Sequence, residues 1–285
     1  MPCYSLGLYE KSMPNTLSLR EKLEAAKQAG FDYLELSIDE SPEKLSRLDW
    51  TPEELHRLWL DQQQTGVPIR SICLSGHRSF PMGHPDPEIR QKSQEILEKA
   101  VDLASALGIR LIQLAGYDVY YEPSTPQTRQ FFAQGLRTAV AYAARRGVML
   151  GFETMETQFM NTVQKAMFWV DEIRSPYLQI YPDMGNLTNA AVLYQYDVCQ
   201  DIALGRGHFA AAHLKETRPG VFREVPFGEG HVDFPTVARC CLELGVRQFV
   251  GEFWYAPEGD WKQILADNNR FLRSALDAAV KDIAL

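Results

Sequence analysis

Four side chains that could bind a metal ion or transfer protons each close one of four successive apolar segments of this 285-residue sequence. They are Glu153, Asp183, His213 and Glu252, and they are separated by 30, 30 and 39 positions. About 30 residues is the length of one strand-plus-helix unit. The spacing therefore predicts that each side chain lies at the C-terminal end of a successive parallel strand, where the four are neighbours in space.

Two glutamates, one aspartate and one histidine offer hard oxygen ligands and one imidazole, a set that suits Mn²⁺, Co²⁺, Zn²⁺ or Mg²⁺. A cation would also offset the repulsion among three carboxylates. Any one of the four could instead cap a helix or face solvent. Because all four hold corresponding positions, the pattern favours one divalent metal ion with Glu153, Asp183, His213 and Glu252 as its ligands.

The elements that must position these groups are visible as short apolar runs that alternate with longer amphipathic runs, the pattern of strand–helix units around a parallel sheet. The strands are predicted at residues 4–9, 33–38, 69–75, 111–115, 148–153, 178–183, 209–213 and 248–253. The helices are predicted at residues 17–29, 87–107, 128–145, 162–173, 190–204, 235–244 and 261–280. The predicted fold class is α/β, a single (β/α)8 TIM barrel forming one catalytic domain over residues 1–285.

The composition and charge of the chain disfavour several classes of function and partner. A net charge of −8 with no basic block disfavours a nucleic-acid partner. We expect no membrane contact, since no apolar run approaches the roughly 18 residues of a span. The first residues lack the pattern of a secretory signal, so we expect a cytoplasmic location. The five cysteines include no Cys-x-x-Cys pair, which indicates small buried thiols in a reducing compartment.

Three further residues are candidates for binding substrate. Lys215 and Arg218 open a long connection, residues 215–233, that follows the seventh predicted strand, and arginine can hold a phosphate with two hydrogen bonds. These charges could equally be solvated. His77 ends the third predicted strand, where it either touches substrate or orients its loop. Arg78 beside it is the next candidate for a phosphate site.

Several segments resemble one known family. They are Gly-Leu-Tyr-Glu-Lys, Gln-Leu-Ala-Gly-Tyr-Asp-Val-Tyr-Tyr, Tyr-Pro-Asp-Met-Gly-Asn-Leu and Val-Pro-Phe-Gly-Glu-Gly. Together they resemble the L-xylulose/L-ribulose 5-phosphate 3-epimerases of ascorbate-type sugar degradation, within the xylose-isomerase-like barrel superfamily. The resemblance runs from about residue 7 to residue 252. It implies that Glu153, Asp183, His213 and Glu252 bind the metal, and that Glu153 and Glu252 also transfer protons.

The resemblance implies a metal-dependent 3-epimerase whose substrate is a small phosphorylated ketopentose, L-xylulose 5-phosphate or L-ribulose 5-phosphate. We also expect a homo-oligomer, a dimer. Removing the proton next to a carbonyl requires stabilisation of an enediolate, which a divalent metal supplies as a Lewis acid. Two opposed glutamates would then remove and return the proton.

Three other functions remain open. An aldose–ketose isomerase or a sugar dehydratase of the same superfamily would use the same metal on a different proton. A non-enzymatic metal-dependent sugar sensor is the alternative from another class. An apurinic endonuclease is disfavoured, because in this superfamily it needs a histidine-rich multi-zinc site, and because the chain is acidic.

Overall fold

Eight parallel strands organise the protein, whose computed structural model describes residues 3–283. The strands are β1 (Ser5–Tyr9), β2 (Tyr33–Ile38), β3 (Ile69–Leu74), β4 (Leu111–Ala115), β5 (Met149–Glu153), β6 (Leu178–Tyr181), β7 (Ala212–Leu214) and β8 (Gln248–Gly251). They pair in chain order from β1 to β6, and β8 pairs with both β7 and β1. Two isolated parallel bridges, Ile180 to Phe209 and Asp183 to His213, connect the segments that contain β6 and β7. The predicted eight-stranded α/β barrel is therefore confirmed.

Ten α-helices surround this barrel within residues 3–283. They are α1 (Leu19–Gln28), α2 (Pro42–Leu45), α3 (Pro52–Thr65), α4 (Pro87–Ala106), α5 (Pro126–Arg146), α6 (Val163–Ile173), α7 (Met184–Tyr194), α8 (Val198–Ala203), α9 (Phe234–Glu243) and α10 (Trp261–Ile283). Helix α3 is typical: Thr51 and Glu54 form a capping box at its start, and Gly66 ends it at a φ of 73°. It has no counterpart among the predicted helices.

The barrel interior is packed. One buried cluster joins side chains from β1, β2, β3, β4, β6 and β8 across the centre of the ring; its members are Tyr9, Tyr33, Cys73, Leu111, Tyr181, Ala211 and Val250. A larger apolar core fills the space between the strands and the helices. Polar side chains that point into the ring above the inner cluster are consequently held out of bulk water.

The strand ends differ from the prediction in ways that matter for the site. Strand β6 ends at Tyr181, because Pro182 has no N–H with which to continue the ladder. Asp183 instead becomes the N-cap of α7, and its Oδ1 accepts a 2.6 Å hydrogen bond from the backbone N–H of Asn186. Glu252 directly follows β8, and His213 is the central residue of the short strand β7.

The predicted helix at residues 190–204 is wrong. The helix is interrupted at Gln195, which takes the left-handed conformation with a φ of 56° and ends α7. Asp197 then caps a separate helix, α8. The apolar periodicity continues through the break, which is why the pattern suggested one helix.

The prediction that the cysteines are buried thiols is also partly wrong. Cys199 on α8 and Cys240 on α9 form a disulfide, and Cys3 is exposed. Only Cys73 and Cys241 are buried free thiols. Among the helices that the structure describes, none is both long and apolar enough to cross a membrane.

Candidate metal centre and active site

The four side chains singled out by their spacing meet at the C-terminal mouth of the barrel. Glu153 ends β5, Asp183 caps α7, His213 lies in β7 and Glu252 follows β8. One ligand atom from each lies within 4.8 Å of the others. Asp183 and His213 have no exposed surface, and the two glutamates are 6% exposed. The short strands bring together residues that are up to 99 positions apart in sequence.

The distances around His213 define the centre of this group. Its Nδ1 lies 3.3 Å from Glu153 Oε1, 3.4 Å from Glu252 Oε2 and 4.0 Å from Asp183 Oδ2. Lys215, also buried, places Nζ 3.3 Å from Asp183 Oδ2 and 3.4 Å from Glu252 Oε2. One lysine therefore faces three carboxylates, and a divalent cation would bring the total charge of the cluster to zero.

Burial and the neighbouring charges shift the pKa values of the three carboxylates. Burial raises the pKa of Asp183 well above its usual range, and the charges of Glu252 and Glu153 raise it further against the opposing effect of Lys215. Burial and the charge of Glu252 likewise raise the pKa of Glu153. For Glu252, burial is outweighed by the nearby Lys215 and His213, so its pKa is lowered.

The donor set fits a divalent metal ion. Within residues 3–283, Asp183 Oδ2 and Glu252 Oε2 are buried and have no hydrogen-bond partner. Both oxygens face the space in front of His213 Nδ1. Three carboxylate oxygens and one imidazole nitrogen are the ligand types found around Mn²⁺, Co²⁺, Zn²⁺ and Mg²⁺ in proteins.

A second layer of buried polar residues holds the four side chains in place. Gln113, on β4, donates a hydrogen bond from Nε2 to Glu153 Oε2. The hydroxyl of Thr154 accepts a 3.0 Å hydrogen bond from the backbone N–H of Asp183. Glu35, on β2, accepts a 2.7 Å hydrogen bond from His213 Nε2. None of these three residues is among the predicted site residues, although Glu35 and Gln113 stand out in the sequence as polar residues within apolar strands.

A small cavity of about 120 Å³ opens directly onto the two glutamates. Its walls combine positive, polar and aromatic side chains; besides Glu153 and Glu252 they include Tyr9, Lys11, Cys73, Ser75, Arg78, Ala115, Met155, Glu156, Lys215, Arg223 and Trp254. In the described part of the chain, Ser75 Oγ and Arg78 Nε are buried atoms that lack a hydrogen-bond partner. Unpaired donors beside two carboxylates are what a hydroxylated, anionic ligand requires.

The three predicted substrate-binding residues have different locations. Lys215 lines the cavity. His77 is buried, its Nε2 lies 3.1 Å from the carbonyl oxygen of Ser93, and burial lowers its pKa to about 4. It does not border the cavity, since its ring faces α4. Arg218 is half-exposed and pairs with Glu229 at 3.2 Å, also outside the cavity wall.

The long connection after β7 is tied down and still reaches the cavity. Glu216 is buried and accepts hydrogen bonds from the backbone N–H groups of Gly228 and Val232, at 3.0 and 3.2 Å. The connection places Arg223, rather than Arg218, at the cavity, where it pairs with Glu156 at 3.3 Å. A buried carboxylate thus holds this loop in the shape that presents one arginine.

Comparison with known proteins agrees with this fold and site. The family model described as "Xylose isomerase-like TIM barrel" matches residues 23–275. A relative from Escherichia coli strain K12, named putative L-ribulose-5-phosphate 3-epimerase SgbU, is 46% identical over 258 residues, covering 88% of this chain and 89% of its own. The L-ribulose-5-phosphate 3-epimerase UlaE of Escherichia coli O157:H7 is 45% identical over 248 residues, covering 87% of this chain and 85% of its own.

Solved structures share the fold at lower identity. A structure titled L-ribulose 3-epimerase superposes with a TM-score of 0.80 at 16% identity, covering 99% of this chain and 97% of its own. A D-allulose 3-epimerase from Methylomonas sp. superposes with a TM-score of 0.76 at 18% identity, covering 95% and 97%.

A nearly closed parallel barrel with an acidic, histidine-containing cluster at its C-terminal mouth is the architecture of this chain, and the matching family model has the same kind of barrel. The chain belongs to the xylose isomerase-like TIM barrel family, together with the relatives named L-ribulose-5-phosphate 3-epimerase. This confirms the resemblance seen in the sequence. It also confirms the prediction that the chain is an isomerase of the epimerase class.

Proposed function

We propose that this protein is a metal-dependent 3-epimerase that interconverts L-ribulose 5-phosphate and L-xylulose 5-phosphate. The observation that carries the proposal is the pair of carboxylates, Glu153 and Glu252, which line one polar cavity and belong to the cluster of four candidate metal ligands. The substrate class follows from the relatives, whose names specify L-ribulose 5-phosphate. We further propose a single catalytic domain, a cytoplasmic location and a homodimer.

Epimerisation at C3 moves a proton from one face of a planar intermediate to the other. The proton on C3 lies next to a carbonyl, and a carboxylate alone is too weak a base to remove it at neutral pH. When bound, a divalent cation would supply the positive charge that makes this proton acidic enough to transfer. Glu153, Asp183, His213 and Glu252 are the residues that would hold it.

Glu153 and Glu252 would perform the two proton transfers. They come from β5 and β8, strands that are separated in the barrel by β6 and β7, so their carboxylates approach the centre from different directions. In one reaction direction Glu153 removes the proton and Glu252 donates one to the opposite face, and in the other direction the roles are exchanged. Gln113 orients Glu153 by donating a hydrogen bond to Oε2, so that Oε1 is directed toward His213 and the centre of the site.

Three positive side chains could bind the phosphate. Lys11, Arg78 and Arg223 line the cavity, and Arg78 has an unpaired buried Nε that can donate to an anion. Arg78 therefore replaces Arg218 as the first candidate for this role. We retain Lys215 near the reacting end of the substrate, because its Nζ lies among the catalytic carboxylates. His77 then acts only indirectly, through the loop that carries Arg78.

An aldose–ketose isomerase or a dehydratase is the competing proposal. An isomerase moves a proton between C1 and C2 on one face and needs only one base. Both glutamates would bind the metal in either enzyme, so the preference for epimerisation rests on the relatives, which are named 3-epimerases. The deciding experiment incubates the Mn²⁺-loaded protein with L-ribulose 5-phosphate and identifies the product by ¹³C NMR. Formation of L-xylulose 5-phosphate supports the proposal, whereas formation of an aldose phosphate or a dehydrated product contradicts it.

A further inference from the structure

Glu35 is a carboxylate without any exposed surface that lies in β2, below the metal-type ligands. Its Oε1 accepts a hydrogen bond from His213 Nε2 at 2.7 Å. Its Oε2 accepts two more, from the hydroxyl of Ser71 at 2.7 Å and the hydroxyl of Tyr181 at 2.9 Å. Three different donors therefore converge on one carboxylate, which acts only as an acceptor.

This arrangement determines which nitrogen of His213 carries the proton. A neutral imidazole has one N–H and one lone pair. Because the carboxylate of Glu35 lies 2.7 Å from Nε2, the neutral ring that binds a metal ion carries its N–H on Nε2 and its lone pair on Nδ1. Nδ1 is the atom that faces Glu153 and Glu252, at 3.3 and 3.4 Å. Glu35 thus favours, among the two neutral tautomers, the one that can bind a metal ion between these carboxylates.

The same network also fixes the orientation of the ring. Ser71 lies beside Glu35 in the register of β2 and β3, whereas Tyr181 reaches it from β6 across the barrel. The two hydroxyls hold the carboxylate from different sides. The ring of Tyr181 also packs edge-on against the ring of His213, with 4.8 Å between their centres. Neither the imidazole nor its acceptor can turn without breaking these contacts.

We propose that Glu35, held by Ser71 and Tyr181, is a positioning residue that sets the tautomer and the orientation of His213 and thereby the affinity of the site for its metal ion. This inference rests on the metal site of the proposed function. Outer partners of ligating histidines typically contribute about ten- to a hundredfold to metal affinity. None of the three residues touches the cavity that would receive the substrate.

The variant Glu35→Gln is nearly isosteric and tests the tautomer directly. The hydroxyls of Ser71 and Tyr181 both donate to Oε2, so they favour the amide oxygen in that place. The amide N–H₂ then faces His213 Nε2, which must become an acceptor, and the proton moves to Nδ1. We expect affinity for Mn²⁺ and Zn²⁺, measured by competition with a chelating indicator, to fall by about ten- to a hundredfold.

A second background separates positioning from simple loss of structure. In the Ser71→Ala/Tyr181→Phe background both hydroxyls are gone, so the amide of Glu35→Gln can turn its oxygen toward His213. Glu35→Gln should therefore reduce metal affinity far less in this background than in the native one. Equal losses in the two backgrounds, or no loss in the native one, would overturn the proposal. Thermal unfolding of the metal-free variants provides the control for folding.

A spectroscopic measurement needs no variant at all. In the zinc-loaded protein labelled with ¹⁵N-histidine, NMR should show the proton of His213 on Nε2. A proton on Nδ1 would contradict the inference even if Glu35→Gln failed to fold. The outcomes also separate the two proposals. If the unaltered protein binds neither Mn²⁺ nor Zn²⁺, the metal-dependent function fails; if it binds them and Glu35→Gln binds them equally well, only the inference about Glu35 fails.

Discussion

Replacing Arg78 with alanine should weaken the binding of the phosphorylated substrate without slowing the chemical step. The side chain of Arg78 is 18% exposed, it lines the cavity, and its Nε is buried without a partner. Its guanidinium carbon lies 4.8 Å from the centre of the Tyr120 ring, and a guanidinium nitrogen lies 4.0 Å from Glu40. These contacts hold the guanidinium group in place, so a phosphate would meet a hydrogen-bond donor that is already ordered.

The size of the effect follows from the type of bond. A hydrogen bond to a charged group contributes about 1.5–3 kcal/mol, and about 1.4 kcal/mol corresponds to a factor of ten. Because Lys11 and Arg223 would remain at the cavity, we expect the lower part of this range. Arg78→Ala should raise KM for L-ribulose 5-phosphate by about ten- to fortyfold, with kcat changed by less than about threefold, since the phosphate is remote from C3.

The assay compares steady-state kinetics of the Mn²⁺-loaded protein on L-ribulose 5-phosphate and on unphosphorylated L-ribulose. Arg218→Ala is the matched control, because Arg218 is half-exposed and pairs with Glu229 outside the cavity. Its KM should stay within about twofold of the unaltered value, as expected for an exposed ion pair. Equal losses on both sugars in Arg78→Ala, or a larger effect in Arg218→Ala, would refute this assignment of the phosphate site.

The remaining predictions concern catalysis and stability. Glu153→Gln and Glu252→Gln should each lower kcat by about a thousandfold or more with the fold intact, because each loses a base and a ligand together; a variant that keeps a tenth of the turnover would argue against two opposed carboxylates. A strong chelator should abolish activity and added Mn²⁺, Co²⁺ or Zn²⁺ should restore it, whereas full activity in metal-free protein would contradict the metal requirement. Glu10→Gln should lower the free energy of unfolding by about 3–5 kcal/mol in urea titrations, because the buried side chains of Lys22, Lys44 and Arg47 lose the carboxylate that they share. A change below about 1 kcal/mol would show that these side chains find other partners. Reduction of the Cys199–Cys240 disulfide, which links residues 41 positions apart, should lower the free energy of unfolding by about 2–4 kcal/mol. A melting temperature that is the same with and without dithiothreitol would count against that crosslink.

The carboxylate of Glu10 also gives a pH dependence. Burial alone would raise its pKa, but the hydrogen bonds and charge of Arg47, together with the charges of Lys22 and Lys44, lower it below its usual range. A group with a lowered folded-state pKa stabilises the fold fully above its unfolded pKa, near 4.3, and loses that contribution as the pH falls further. The unaltered protein should thus lose stability below about pH 4.3 more steeply than Glu10→Gln does.

The barrel and its central cluster could be predicted because they follow from periodicity and spacing. Each of Glu153, Asp183, His213 and Glu252 stands where an apolar run stops, and the regular repeat of a barrel brings such positions together. The break at Gln195 could not be predicted, since the apolar pattern runs on through it and only the backbone reveals the left-handed residue.

The contacts between distant parts of the chain could not be predicted from the sequence either. Nothing in the spacing indicates that Arg78 and Arg223 enter the cavity while Arg218 turns away to Glu229. The disulfide similarly depends on how α8 and α9 pack side by side. Glu35 and Gln113 were visible as polar residues in apolar strands, but their partners, His213 and Glu153, are 178 and 40 positions away.

The most direct test of the central claim follows hydrogen exchange at C3. The protein is incubated with L-ribulose 5-phosphate in heavy water, with Mn²⁺ or with excess chelator, and the position of deuterium is read by NMR. The account predicts that deuterium enters C3 as L-xylulose 5-phosphate forms, that this requires Mn²⁺, and that Glu153→Gln and Glu252→Gln both suppress it. Exchange at C1 with formation of an aldose phosphate, or undiminished exchange at C3 in metal-free protein, would contradict the account.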